Sequence, residues 1–279
     1  MSISKLFSKN KTLTFFRSSY IYIILLLIYI PLIFIVALSF NGESQKGNII
    51  LDFDNPNTNN YIQLFKNDEF LNSFFNSFFV ALAVAPISLI IAVSTCFGLW
   101  YSRNKKVNRV INNMVTTNIA IPDIIFGISL TLLFTSVWLP LGLDYGYFTI
   151  VFSHISFCVP YAILAIYPRM LKFNKNLINA SNDLGASKTR TFFKIVLPFL
   201  LPAIISATII VIAISFDDFV ITTLVRGNFL TISTAIYQSS KGIKAWIVTF
   251  GAIMVIGFIL GSLIIATRKS WKENLKRRR

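Results

Sequence analysis

Charge-free apolar runs dominate the chain. Residues 20–40 form a run of 21 positions without a charge, and residues 70–100 a run of 31. Residues 111–143 carry one charge, Asp123, and residues 145–168, 195–216 and 245–267 carry none. A helix crossing the roughly 30 Å hydrocarbon layer needs about 20 apolar residues. The pattern therefore predicts six transmembrane helices. The 70–100 run exceeds the need, so one of its ends should lie at or beyond the interface. A membrane barrel would instead show segments of about ten residues with alternating polarity, and no such alternation is present.

The polar segments between the runs set the orientation. Residues 1–19, 101–114, 169–194 and 268–279 hold 4, 4, 6 and 7 of the lysines and arginines, which is 21 of the 26. The alternate segments 41–69, 144 and 217–244 hold 2, 0 and 3. Basic residues collect on the cytoplasmic side of membrane proteins, so both termini are expected there. The membrane-spanning body then runs over 20–267, between a cytoplasmic tail at 1–19 and a basic cytoplasmic tail at 268–279. Run one has the basic front of a signal peptide but exceeds the 7–15 residues of its apolar region. It reads as a retained anchor with Pro31 as a mild kink.

Composition adds little to this. The chain is 55% hydrophobic and 13% charged, against roughly 25% charged in soluble domains. The net charge of +15 follows mostly from topology and from attraction to anionic membrane lipid, not from nucleic-acid binding. Cys96 and Cys158 lie inside apolar runs and form no metal-binding spacing. Trp100, Tyr101, Trp138, Tyr145, Tyr147, Trp246 and Trp271 sit near run ends, as an interfacial aromatic belt does. His154 is the single histidine. With no companion nearby in sequence, it reads as a packed polar residue.

One polar stretch is too orderly for a plain loop. Residues 179–198 read NASNDLGASKTRTFFKIVLP, in the cytoplasmic segment between runs four and five. Asn179 can cap a helix start, and Asp183 then suits its positive end. Gly185 ends the turn or admits a close backbone. A second short helix can follow through Phe192, Phe193 and Ile195, with Pro198 and Pro202 in the first turns of run five. Small side chains would face outward.

This stretch resembles the EAA loop of ATP-binding cassette (ABC) importer permeases, with its Glu-Ala-Ala, three residues, Gly, nine residues and Ile-x-Leu-Pro. Asn179-Ala180-Ser181 stands for the triplet, Gly185 for the glycine and Ile195-Val196-Leu197-Pro198 for the end. Asn replaces the family's Glu and Ser its second Ala. Further runs are similar to the PotC-type permeases of spermidine/putrescine importers: YIPLIFIVALSFN, IPDIIFGISLTLLF, FSHISFCVPYAILAIYPRMLKF, NDLGAS and ISFDDFVITTLVRG. The resemblance implies an all-α, six-helix type I importer permease in the bacterial plasma membrane. It implies a sister permease, a dimeric cytoplasmic ABC ATPase and an external polyamine-binding protein as partners. ATP and Mg would be used by the ATPase, and this chain would bind no cofactor and hydrolyse nothing, in keeping with its lack of a P-loop motif. Asn179, Ala180, Ser181, Asp183, Leu184, Gly185, Ala186 and Ser187 would form the coupling helix that enters a groove on the ATPase.

A polycation needs carboxylates, and aromatic faces help through cation–π attraction. Asp123, Asp217 and Asp218, with Phe216 and Phe219, are the candidates for its path. Neighbouring helical positions differ by about 100°, so at most one of Asp217 and Asp218 should face a central path squarely. The alternatives stay open. Asp123 can instead start a helix after Pro122, and Asp217–Asp218 can be a solvated helix end or pair with Arg226, Lys241 or Lys244. The acidic outer loop 41–69 could touch a binding protein or be merely solvated. Import of another small solute (ferric ion, an anion, a sugar) is the runner-up. A stand-alone secondary transporter would leave the 179–198 loop unexplained and often shows internal repeats. A membrane enzyme would need clustered catalytic groups.

Overall fold

A computed structural model describes residues 11–53, 56–102, 105–239 and 242–277. Lys241, a possible partner of Asp217–Asp218, lies outside the described residues, as do the first ten residues of the N-terminal tail and the last two arginines. The described chain is helical, apart from isolated bridges pairing Glu43 with Ile49 and Asn48 with Lys244. Its helices are α1 (Lys11–Leu38), α2 (Asn59–Leu64), α3 (Asp68–Tyr101), α4 (Lys105–Ala120), α5 (Asp123–Leu133) and α6 (Tyr147–Met170). Then follow α7 (Asn176–Asp183), α8 (Lys188–Thr191), α9 (Leu197–Asp217), α10 (Val220–Val225), α11 (Ile232–Gln238) and α12 (Ala245–Arg277).

Five helical stretches among the described residues are long and apolar enough to cross a membrane: Asp68–Tyr101, Asp123–Leu141, Tyr147–Met170, Lys188–Asp217 and Ala245–Arg268. In α1 the apolar piece is shorter, Tyr22–Leu38. Two features depart from the sequence pattern. The run at 111–143 is not one helix: it breaks at Ile121-Pro122, with α4 before and α5 after. Proline at 122 disfavours helical geometry in the residue before it, and Pro122 itself takes φ −56°, ψ 133°. The basic tail after residue 267 is not a separate segment either, because α12 continues to Arg277. Its Lys, Glu, Leu and Arg residues are strong helix formers.

Two π-helical turns share one cause. Phe134–Trp138 and Phe192–Val196 each end two residues before a proline, Pro140 and Pro198. A proline ring collides with the carbonyl four residues earlier. The turn before it widens, and the N–H groups of Leu139 and Leu197 reach back five residues to Phe134 O and Phe192 O.

The chain divides into two compact units, Met1–Phe70 with Ser239–Arg279, and Leu71–Gln238. In the first, α12 packs on α1 and α2, around Leu38, Ile49, Ala245 and Val248. Asn60 ties down the segment after α1 by donating to the carbonyls of Ser39 and Asn41 at 3.1 and 2.6 Å.

The second unit is organised on α6 against α9. Along α6 the residues with no exposure include His154, Cys158, Ala162, Ile166 and Met170, at every fourth position. Along α9 the buried row is Leu200, Ala203, Ala207, Val211 and Ser215. Residues four apart lie on one helix face, so two narrow ridges meet. Alanines at the middle of both allow close approach, which is how helices associate where lipid removes the hydrophobic incentive. Overpacking such a seam costs about 1–3 kcal/mol. Ala162→Leu is therefore expected to lower the thermal unfolding midpoint of the detergent-solubilised protein. Ile205→Leu on the exposed face of α9 should stay within about 0.5 kcal/mol of the parent.

Candidate functional site

A cavity of about 310 Å³ lies within the second unit. It is lined by Asp123, Phe157, Tyr161, Ile214, Asp217, Asp218, Phe219 and Val220. Three elements supply the acids and rings. Asp123 is the first residue of α5, next to a helix N-terminus that favours negative charge. Phe157 and Tyr161 are one turn apart on α6. Asp217 is the last residue of α9. All three candidate carboxylates thus line one cavity.

Both adjacent aspartates line this cavity, but unequally: Asp217 is exposed, while the Asp218 side chain is only 8% exposed. Asp218 still closes the last turn of α9, its N–H donating to Ile214 O at 3.1 Å, and the backbone turns extended after it, with φ −62° and ψ 126°. Phe219 lines the cavity and packs against Tyr237, with ring centroids 4.5 Å apart. Phe216 is not among the lining residues. Its ring meets Phe74 edge-on at 5.7 Å, so it packs between helices.

The three acids differ in what already holds them. Asp123 and Asp217 are exposed and have no hydrogen-bond or ion-pair partner among the described residues. Asp218 is engaged: its Oδ2 accepts the Thr222 backbone N–H at 2.8 Å and the Thr222 hydroxyl at 2.7 Å. His154 Nε2 lies 3.5 Å from the same oxygen and 2.9 Å from Thr222 Oγ1. His154 Nδ1 lies 2.8 Å from Ser215 Oγ. The histidine is a packed polar residue, as expected, but its companions come from 61 and 68 residues away. Sequence spacing gave no signal for Ser215 or Thr222.

Helix α10, which carries Thr222, is seated on α5. The contact is made at Gly127, where an added Cβ would stand 2.7 Å from Leu224 Cδ1 and 3.4 Å from Ile221 Cα. Thr131 Oγ1 also donates to Leu224 O at 3.2 Å.

The loop before α9 is a helix, a tight turn and a second helix, but its register differs from the expectation. Helix α7 starts at Asn176, whose N–H is held by Asn174 Oδ1 at 3.0 Å. Asn179 is therefore an exposed interior residue rather than a cap. Asp183 ends α7, at its negative rather than positive end. The turn is fixed by Gly185 at φ +75°. Gly185 N–H donates to Asn182 O at 2.9 Å and Ala186 N–H to Ser181 O at 3.0 Å, the paired bonds of a Schellman stop. Ser187 then opens α8 by accepting from Arg190 N–H. Ser181 does not face outward: it is buried and hydrogen-bonded to Thr191 Oγ1 at 2.8 Å, which ties α7 to α8. Ala180 is exposed, Ala186 half-buried, and Leu184 is 88% exposed at the tip.

Long apolar helices around a carboxylate-lined cavity, with a rigid polar helix pair between two spans, define an integral membrane transport subunit. The chain belongs to the family of binding-protein-dependent transport system inner membrane components, matched over residues 85–268, and is accordingly a multi-pass protein of the bacterial plasma membrane. It is 47% identical to the spermidine/putrescine transport system permease protein PotC homolog of Mycoplasma pneumoniae, over 91% of this chain and 90% of that one. It is 29% identical to the spermidine/putrescine transport system permease protein PotC of Haemophilus influenzae, over 87% and 91%. The fold matches a chain from the crystal structure of a bacterial ABC transporter involved in the import of the acidic polysaccharide alginate. That match has a TM-score of 0.66 at 17% identity, over 95% of this chain and 98% of that one.

The Gly127 contact gives a direct test of how α10 is placed. Gly127→Ala needs only a shift of the Leu224 side chain and should cost less than about 1 kcal/mol. Gly127→Val meets the α10 backbone and should cost about 1–3 kcal/mol. Thermal unfolding of the two purified variants checks the difference.

Proposed function

We propose that this chain is the membrane-crossing permease subunit of an ABC importer that brings polyamines, spermidine or putrescine, into the cell. The observation that carries the reading is the cavity. Two exposed carboxylates without partners among the described residues, Asp123 and Asp217, share it with the rings of Phe157, Tyr161 and Phe219. A linear polycation offers separated charges and methylene stretches between them. Carboxylates match the charges, and aromatic faces accept both ammonium groups and methylenes. The names of the PotC relatives point to the same cargo.

The remaining assignments follow from this reading. Helix α1 and the five longer apolar stretches make six crossings over residues 20–267, with the tails 1–19 and 268–279 in the cytoplasm; the distribution of lysine and arginine supports this side. Residues 169–197 form the coupling loop. In it Asn179, Ala180, Asp183, Leu184, Gly185, Ala186 and Ser187 form the exposed rim that meets a dimeric cytoplasmic ATPase, and Ser181 braces it from within. A sister permease completes the pathway, and an external binding protein delivers the cargo. ATP and Mg are consumed by the ATPase, and this chain holds no cofactor. The rigid turn at Gly185 supports a lever role, since motion of the ATPase must reach α9 through a joint that does not yield.

Uptake of labelled spermidine, in cells lacking their own polyamine importers and supplied with the complete importer, tests the reading. Uptake should require this chain and be blocked by excess putrescine. A complex that assembles and hydrolyses ATP without moving either amine would discard the cargo. Asp123→Asn and Asp217→Asn should each raise the apparent KM about tenfold, the equivalent of about 1.4 kcal/mol. Gly185→Val forces a β-branched residue into left-handed geometry, at about 1–2 kcal/mol. It should cut uptake while leaving the amount of protein in the membrane unchanged, as an immunoblot of membranes would show.

A further inference from the structure

The buried groups behind the cavity form one chain of hydrogen bonds. An ionised carboxylate only accepts, so the Thr222 hydroxyl gives its hydrogen to Asp218 Oδ2. Its oxygen is then free to accept, and the hydrogen between it and His154 belongs to Nε2. On the other side of the ring, Nδ1 is hydrogen-bonded to the Ser215 hydroxyl at 2.8 Å. The order is Ser215 to His154 to Thr222 to Asp218. The chain joins α6, the end of α9 and the first turn of α10. It does so where α9 stops and the backbone turns extended at Asp218.

We propose that Asp218 is a structural pin for the α9–α10 break rather than a cargo ligand, and that His154 is the positioning residue that holds it. Together they fix Asp217 and Phe219 on the cavity wall. The inference rests on the reading of this cavity as the cargo path. Asp218 Oδ2 already accepts two hydrogen bonds, its side chain is only 8% exposed, and the wholly buried His154 stands against it. Turning that carboxylate to an incoming ammonium group would leave the Thr222 hydroxyl and the Thr222 N–H without their acceptor beneath the surface. Asp217, next in sequence, is exposed and has nothing to give up. Adjacent identical side chains thus divide the work, one facing the cargo and one holding the scaffold.

Steady-state uptake by the complete importer separates the two roles. Asp217→Asn should raise the apparent KM about tenfold and keep Vmax. His154→Leu and Asp218→Ala should each lower Vmax about tenfold and leave KM within twofold. The double variant should be no worse than either single, because one chain is broken in both. His154→Gln, which offers an N–H towards Thr222, should restore at least half of Vmax. Where alanine prevents assembly, Asp218→Asn keeps an acceptor for the Thr222 N–H and should still leave KM within twofold. A KM rise in either Asp218 variant equal to that of Asp217→Asn, or a multiplicative loss in the double variant, would overturn the pin.

A second readout does not depend on cargo. In an importer with Cys96 and Cys158 replaced by serine, thiol labelling of Phe219→Cys should speed up several-fold when His154→Leu is added. Unchanged labelling overturns the pin. Should Asp123→Asn and Asp217→Asn leave KM unaltered, the cargo path is wrong, and the labelling alone decides the role of His154.

Discussion

The fourfold spacing of buried residues along α6, meeting a matching ridge on α9, is the constraint on which the second unit depends. Apolar packing runs along the shared seam, and its last rung is polar: His154 opposite Ser215. That rung is where the seam stops being a packing problem and becomes a site. A helix pair held by alanines and valines can slide or rotate slightly at little cost, since dispersion contacts are individually weak and non-directional. A hydrogen bond between buried groups fixes the register, because leaving either group unpaired in a dry interior is costly. The polar end therefore sets where the apolar remainder sits.

From this rung the architecture of the cavity follows. Asp218 accepts from Thr222, α10 starts, and α10 is free to lie on α5 because Gly127 has no side chain to hold it off. The N-terminus of α5 places Asp123 in the same cavity as Asp217. A break in one helix and the beginning of another thus bring together carboxylates 94 residues apart in the chain.

Much of this was legible in the sequence, for physical reasons. Charge-free runs fix apolar helices because length and composition suffice, and five of them reappear nearly unaltered. Prolines marked the break at residue 122, although a count of charges alone ran across it. The loop motif gave the helix–turn–helix order through Gly185, yet missed its register. Asn179 is a good cap by residue type, but the helix already starts at Asn176, behind Lys175, and only the fold shows that. Which of Asp217 and Asp218 is held from behind was hidden, since periodicity separates the two side chains without saying which one meets His154. The partners of His154 were hidden too, because two hydroxyls more than 60 residues distant carry no local signature.

The π turn at Phe192–Val196 has a consequence for the phase of the molecule. Such a turn holds one residue more than an α-helical turn. Everything before it is therefore rotated by about 100° and shifted by about 1.5 Å relative to an uninterrupted helix. The direction in which Leu184 and the Gly185 turn point, as seen from α9, is set by this single surplus residue and by the proline that forces it. The loop is keyed to the span as a gear is keyed to its shaft, and the key is Pro198. Change in the loop's own residues alters what its surface offers. Change at the key alters where that surface is aimed, with every contact inside the loop intact.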